Sequence, residues 1–307
     1  MKMYIGITEQ EWYENLKDTD FNEINFWKLA GNFNFKALDQ GDMFLFKLHS
    51  PNNYIVGGGF FELYDILPSF TVWDIFKEKN GVKSLMELEQ KAAVYSSLAV
   101  SDNKLKNLGC IVLSKPFFLQ ESDWIPIPED WNINIGHGKL YNTFKGMGKE
   151  LFMQLEEKIN MMEDKGTKKS KIPSGFSVKN KNNPPEGEGA FKIRITESYH
   201  KSCAITGYKV LPALEAGYIK PLNSGGTNNL DNGIFLRKDL YTLFNMGYIT
   251  IDDNYEIHIS CRLKEDFSGG NAYYKYNGKT LRVLPDKFFE LPNKSNLRWH
   301  MENVFLK

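Results

Sequence analysis

The stretch GYIKPLNSGGTNNLDNGIFLRKDLY, residues 217–241, decides the fold of the C-terminal third of the chain. Three of its polar residues have spacings that matter below: Asn232 follows Tyr218 by 14 residues, and Tyr241 follows Asn232 by 9. The pair Gly225-Gly226, between Tyr218 and Asn232, is typical of a turn. Asp239 lies near an expected helix start, where a carboxylate acts most simply as an N-terminal cap.

From about Phe191 onward, the sequence around this stretch resembles an HNH endonuclease domain, a β-hairpin followed by a helix that holds one divalent metal. The motif places a histidine before an Ile-x-Pro segment, then an asparagine, then a second histidine at the helix start. Here Tyr218 precedes Ile219-Lys220-Pro221, Asn232 keeps the middle position and Tyr241 takes the last one. Tyrosine therefore occupies both histidine positions.

The resemblance implies catalytic roles for Tyr218, Asn232 and Tyr241. In the family, the first histidine is the general base, since an imidazole titrates near neutral pH. The second helps to hold a metal that stabilises the scissile phosphate, and the asparagine holds the loop through its amide. Asp239 and Tyr241 are thus the candidate metal ligands. The metal would be Mg²⁺ or Mn²⁺ if the site is active, and zinc is not expected.

Tyrosine changes the chemistry of both histidine positions. A phenol has a pKa near ~10, against ~6.5 for an imidazole, so it is almost entirely protonated at neutral pH. A bound cation nearby would lower that pKa. Two interpretations stay open: the site has lost hydrolysis and kept its scaffold, or it uses a metal-activated tyrosine.

Basic residues near the motif are candidate phosphate contacts. Arg237, Lys238 and Lys220 lie beside the expected helix start and the first strand end, although a solvated basic surface explains them equally well. His300 lies outside the motif, in a C-terminal segment that also matches the family, and is a less favoured candidate for the site.

The N-terminal part predicts a β-hairpin. Two apolar runs, 43–48 and 54–61, flank the polar turn at residues 51–53. The second run contains Gly57-Gly58-Gly59, which indicates that a barrel crossing or a ligand approaches this backbone closely.

The runs at 24–61 and 109–131 resemble the N-terminal domain of bacterial restriction-type HNH proteins. The hairpin pattern is also similar to a small PUA-like barrel, a superfamily that includes proteins reading modified bases. Flipped bases stack on aromatic rings, so this resemblance makes Trp27 and Phe33, in and beside a polar loop, candidate DNA-binding residues.

Composition divides the chain. The segment 165–190 is rich in Lys, Gly, Pro, Ser and Asn and predicts a linker. It separates an N-terminal domain, 1–164, from a C-terminal domain, 191–307. The expected fold class is α+β: a mixed PUA-like barrel followed by an HNH ββα-metal domain.

Bulk composition narrows the class of protein. Lys+Arg and Asp+Glu both number 38, so DNA binding would need a local basic face. The start has no secretory pattern, and no apolar run is long enough to span a membrane. The 3 cysteines form no CxxC pair, which indicates reduced thiols in a cytoplasmic protein.

Together these features predict an HNH endonuclease-like protein of restriction or defence type. Its partner is double-stranded DNA, with a modified base as one option and a homodimer left open. The alternatives are a catalytically inactive DNA-binding or regulatory protein derived from such a nuclease, and a purely structural or protein-binding module.

Overall fold

The computed structural model describes residues 1–29, 34–97, 107–132, 134–164 and 186–307. The chain forms two compact units, Met1–Asn183 and Pro184–Lys307. Residues 165–185 of the expected linker lie outside the described residues. Its last three positions, 188–190, belong to a helix that starts at Glu188, because Gly189 and Ala190 are buried there. The linker therefore ends earlier than its composition indicates.

The N-terminal unit mixes strands and helices in the following order: β1 Lys2–Thr8, α1 Gln10–Leu16, β2 Glu23–Leu29, β3 Met43–Leu48, β4 Tyr54–Pro68, α2 Ser69–Phe76, α3 Leu85–Ser97, β5 Asn107–Phe118, β6 Ile125–Pro126, β7 Gly138–Asn142 and α4 Gly146–Asp164. The predicted hairpin is present, since β3 and β4 pair antiparallel with Met43 opposite Phe60.

Within the described residues, these strands form one seven-stranded sheet in the order β2-β5-β4-β3-β1-β7, with β6 added beside β4. Among the described strands, β1 and β3 are the only parallel pair. The sheet curls, because β2 returns to the side of β1 although the two are four places apart in strand order. The Lys28 ammonium of β2 donates to the Ile7 carbonyl of β1 at 2.8 Å. The unit is therefore barrel-like, and the predicted α+β class is confirmed.

Both faces of the curled sheet are buried, which follows from side-chain alternation along each strand. On β3, Phe44 and Phe46 enter one core with α1, while Met43 and Leu45 enter a second core. The second core is covered by α4, whose Leu151, Leu155 and Ile159 recur at helical spacing. The uninterrupted apolar run at 43–46 of β3 is typical of this two-sided burial.

The three consecutive glycines of β4 are explained by the neighbouring strand. A Cβ at Gly57 would overlap the Phe117 carbonyl of β5, and a Cβ at Gly58 would lie 2.8 Å from the Phe44 carbonyl of β3. Of the two explanations that the sequence allows, close strand crossing is the one present at these positions. The register between β4 and β5 shifts at the same place.

The C-terminal unit contains α5 Glu188–Ser198, β8 Leu214–Tyr218, β9 Gly233–Arg237, α6 Lys238–Asn245, β10 Ile249–Ile251, β11 Ile257–Ile259, α7 Arg262–Asp266 and α8 Lys294–Asn303. Strands β8 and β9 form an antiparallel hairpin, and β9 continues directly into α6. One core of its own, including Phe191, Ile234, Leu240 and Phe244, holds this unit together.

Candidate functional site

The expected site lies where β8 ends and α6 begins. Tyr218 is the last residue of β8 and pairs with Gly233 at the start of β9. Its ring stacks on Phe191 of α5, with ring centroids 4.3 Å apart and planes 11° from parallel. Its hydroxyl donates a hydrogen bond to Asn228 Oδ1 at 2.8 Å. Both ends of this side chain are thus held in place.

Asn232 is fully buried and closes the loop between the hairpin strands. Its amide donates to the carbonyls of Lys220 and Thr227 at 2.9 Å each, and its Oδ1 accepts from the Lys220 backbone N–H at 2.9 Å. Every polar atom of the side chain therefore has a partner in the loop. These hydrogen bonds hold the loop between β8 and β9 in place.

Tyr241 lies in α6 and packs against Gly217, the residue before Tyr218. A Cβ at Gly217 would overlap the Tyr241 phenol, so the ring occupies the space that any side chain at 217 would need. Burial raises the pKa of Tyr241, and the charge of Glu215 acts in the same direction, while Asn245 and Lys192 oppose it. The phenol consequently stays protonated at neutral pH.

The two tyrosine rings do not face each other. Successive residues of a strand point to opposite faces, so the ring on the Gly217 face and the side chain of Tyr218 lie on opposite sides of β8. Tyr218 and Tyr241 therefore lie at the same end of β8, with their rings on opposite sides of the strand. A base and a metal ligand acting on one phosphate would need to reach a common point.

Asp239 lies in the first turn of α6, which begins at Lys238 and has Arg237 at the N-cap position. A backbone hydrogen bond from Leu240, in the same turn, favours the ionised carboxylate of Asp239. The carboxylate also accepts a bidentate contact from Arg237, with Nε to Oδ1 at 3.0 Å and a second bond from the terminal nitrogen to Oδ2. Tyr273 donates to the same Oδ2 at 3.1 Å. Burial opposes ionisation, but the hydrogen bonds and charge of Arg237 keep the pKa of Asp239 below its usual value.

These residues do not fit a divalent metal. The Asp239 oxygens are occupied by Arg237 and Tyr273, and the Tyr241 phenol is protonated. Across the described part of the chain, no three His, Cys, Asp or Glu side chains are grouped closely enough to hold a metal ion. Mg²⁺ and Mn²⁺ would meet a neutral phenol and a carboxylate already paired with a cation, which are poor partners for a hard cation.

The residues predicted to contact DNA differ in the side chains that surround them. Arg237 is tied to Asp239, and this pairing raises the pKa of its guanidinium further. The Lys220 ammonium lies 5.4 Å from the ring centroid of Trp299, and Lys238 is half-buried at the first position of α6. In the N-terminal unit, Trp27 is half-buried and donates to the Asn80 carbonyl at 3.0 Å. Phe33 lies outside the described residues.

His300 is a core residue and does not return to the site. It is 2% exposed and stacks on Phe244, with ring centroids 3.7 Å apart. Its two ring nitrogens are hydrogen-bonded to Thr250 Oγ1 at 2.8 Å and to the Phe244 carbonyl at 3.0 Å. Burial lowers the pKa of His300 to about 4.

Sequence reasoning missed the residues that fix the two tyrosines. Phe191 and Asn228 hold Tyr218, and Gly217 accommodates Tyr241. It also missed Lys28, which lies between the apolar residues Trp27 and Leu29 at the end of β2.

Among the described residues, no helix is long and apolar enough to cross a membrane.

Comparison with known families identifies one segment. Residues 203–252 match the family model described as HNH endonuclease, and this segment contains Tyr218, Asn232 and Tyr241. The chain therefore carries an HNH endonuclease-type segment over β8, β9 and α6. No curated protein matches the chain.

Several solved structures show a weak likeness. An ASCH protein of Zymomonas mobilis is 8% identical, with a TM-score of 0.31, covering 50% of this chain and 94% of that one. A point mutant of the same protein gives 9% identity, a TM-score of 0.35 and coverage of 50% and 99%. The phosphorothioation-dependent Type IV restriction endonuclease ScoMcrA is 11% identical, with a TM-score of 0.19 and coverage of 78% and 46%. These scores are too low to transfer a function.

Proposed function

We propose that this chain is a DNA-binding protein of restriction or defence type, derived from an HNH endonuclease, that binds double-stranded DNA without hydrolysing it at the site of Tyr218 and Tyr241. The observation that carries the proposal is the state of the two candidate metal ligands. Asp239 is paired with Arg237, and Tyr241 is a buried, protonated phenol packed on Gly217. Hydrolysis by the family route needs both a base and an electrophile, and the pairing of Asp239 and the raised pKa of Tyr241 argue against both.

The framework around the motif residues supports DNA binding. The β8–β9 hairpin, the loop held by Asn232 and the start of α6 are all formed. Lys220 and Lys238 lie at this edge of the C-terminal unit, where cations would meet phosphates without any chemistry. Tyrosines at the two positions where the family motif has histidines, within an intact frame, support a domain retained for its shape.

Two assays on the full chain test this proposal. A gel shift with a duplex should show binding that weakens as salt rises, while supercoiled plasmid with Mg²⁺ or Mn²⁺ stays uncut. Lys220→Met and Lys238→Met should each lower affinity for every duplex and reduce the salt slope by about 1, because each removes about one phosphate contact. Lys264→Met, an exposed lysine of α7, is the matched control and should change neither quantity.

The rival function is the active HNH endonuclease, and the retained segment at 203–252 is the observation that favours it. Metal-dependent plasmid cleavage that disappears in Tyr218→Phe would establish this rival and overturn the proposal. No duplex binding at low salt would overturn both and leave a protein-binding or structural module.

A further inference from the structure

The segment 267–285 of the C-terminal unit, called here the basic segment, carries positive charge only. It contains Lys275, Lys279 and Arg282 but neither aspartate nor glutamate, although the whole chain has 38 acidic residues and 38 Lys and Arg together. It follows α7 and includes short helical turns at 270–276. A chain with no net charge needs such a local basic stretch in order to bind a polyanion.

The cations of the basic segment differ from many other cations of their unit in having no carboxylate partner. Ion pairs with carboxylates are formed by Lys192, Lys201, Arg262, Lys287 and Arg298. Among the described residues, no carboxylate lies within ion-pair distance of Lys275, Lys279 or Arg282. The Lys275 ammonium lies 5.2 Å from the Tyr276 ring centroid, and the Arg282 guanidinium donates to the Thr206 carbonyl at 3.2 Å. These contacts leave the positive charges unmatched.

The loop at 204–209 adds a fourth cation beside the basic segment. The Arg282 backbone N–H donates to the Ala204 carbonyl at 2.8 Å, and Lys209, at the end of this loop, is exposed. Glu256 bridges to Thr280 through the backbone and offsets part of the charge. Four cations beside one carboxylate leave an excess of positive charge on this surface.

The backbone of the basic segment is tied to the rest of the unit. The Tyr274 hydroxyl donates to the Ser260 carbonyl at 2.6 Å, and Asn277 Oδ1 accepts from the Ile259 backbone N–H at 2.8 Å. Leu281 is buried in the core of the unit. The cations are therefore presented from a fixed backbone, which lowers the entropic cost of binding a partner.

This surface adjoins the start of α6. The Tyr273 hydroxyl of the basic segment donates to Asp239 Oδ2 at 3.1 Å, and Asp239 follows Lys238. On the side of the 204–209 loop, the Arg237 backbone N–H donates to Cys203 Sγ at 3.3 Å. Both parts of the surface thus reach the edge where Lys238 lies.

We propose that Lys209, Lys275, Lys279 and Arg282 form a second phosphate-binding surface, and that one DNA duplex extends from the start of α6 onto it. That the polyanion is DNA rests on the proposed function, whereas the excess of positive charge belongs to the surface itself. Exposed cations on loops contact phosphates, which carry no sequence information. The surface therefore raises affinity for every duplex equally.

The test is a gel shift of the full chain with two duplexes of unrelated sequence, over a series of salt concentrations. The double variant Lys275→Gln with Lys279→Gln should bind both duplexes more weakly, by roughly 5-fold per lysine at ~0.15 M salt. Its salt slope should fall by about 1 per lysine, because each lysine removed is about one phosphate contact. The matched control is Lys145→Gln with Lys149→Gln, two exposed lysines of the N-terminal unit that are also four residues apart. This control loses the same total charge and should bind as the wild type does.

A combination with Lys220→Met tests whether one duplex contacts both surfaces. The losses in the logarithm of affinity should then add, and the wild type should give a single shifted band. Two shifted bands, one of which the double variant lacks, would show two separate sites and overturn the single path.

Wild-type affinity and salt slope in the double variant would overturn this inference and leave DNA binding through Lys220 and Lys238 standing. A loss confined to one of the two duplex sequences would overturn the assignment to phosphates. No duplex binding by the wild type would overturn both this inference and the proposed function, so the two failures are distinguishable. Equal urea unfolding of the wild type and the double variant checks that the variant is folded.

Discussion

The absence of a side chain at Gly217 leaves room for the buried ring of Tyr241. The Tyr241 ring occupies the volume that a Cβ at 217 would need, and burial there keeps its phenol protonated. The identity of residue 241 is thus coupled to that of residue 217 by packing. The protonation state of Tyr241 therefore depends on which residue occupies position 217.

This coupling is measurable by a double-mutant cycle. Gly217→Ala should lower the free energy of unfolding by about 2 kcal/mol, because overpacking a filled site has that cost. In a Tyr241→Ala background the same change should cost less than about 0.5 kcal/mol, since the clash is gone. Urea denaturation of the four proteins gives the coupling energy. An equal cost in both backgrounds would mean that the ring moves aside freely.

His300 predicts a pH dependence of stability. Its folded pKa is about 4, below the ordinary 6.5, because the ring is buried. The unfolded state therefore binds a proton before the folded state does. Stability is complete above pH 6.5, falls as the pH drops from 6.5 to 4, and levels off below 4, with a loss of up to about 3 kcal/mol.

The measurement is urea unfolding of the wild type and of His300→Phe between pH 7 and pH 4.5. Phenylalanine keeps the ring stacked on Phe244 but cannot be protonated. The variant should be less stable at pH 7, since Thr250 and the Phe244 carbonyl lose their partner, yet its stability should depend less on pH. Parallel curves for the two proteins would assign the acid sensitivity to other groups.

At the scale of single elements, α4 is the cover of one sheet face. Leu155 is fully buried against that face, whereas Met153 on the same helix is 58% exposed. Leu155→Ala should therefore cost about 2–5 kcal/mol of unfolding free energy. Met153→Ala is the matched control and should cost less than about 0.5 kcal/mol. Similar losses for both would show that α4 does not pack as described.

Local elements were predictable where periodicity and turns agree. The β3–β4 hairpin follows from two apolar runs around residues 51–53, and the order β8, β9, α6 follows from the motif. The start of α5 at Glu188 was not predictable, because Gly and Pro dominate that stretch and its burial depends on tertiary packing. Helix propensity is easily overridden in this way.

The family resemblance orders the candidate residues along the chain but does not fix their side chains in space. Tyr218 ends β8, Asn232 comes just before β9 and Tyr241 lies in α6. The pairing of Arg237 with Asp239, two residues away, is a rotamer choice that a sequence pattern does not encode. A cavity in the N-terminal unit was beyond reach for a different reason: Ile7, Lys28, Lys91 and His137 line it together, although they are distant in the chain.

At the scale of the whole molecule, each unit has its own hydrophobic core. Fragments 1–164 and 186–307, produced separately, should therefore each fold and unfold cooperatively. Circular dichroism and urea melts of the two fragments check this. Fragment 186–307 should also retain the duplex gel shift if Lys220 and Lys238 carry the DNA contacts. An unfolded fragment would show that the two units need each other to fold.

The seam between β1 and β2 has a consequence for local opening of the sheet. Within the described residues, no backbone pairing joins these strands, and the Lys28 side chain bridges them. Separating the two strands at this seam therefore breaks a side-chain hydrogen bond and no described backbone pairing. Local opening should accordingly be easier here than between the hydrogen-bonded strands of the sheet.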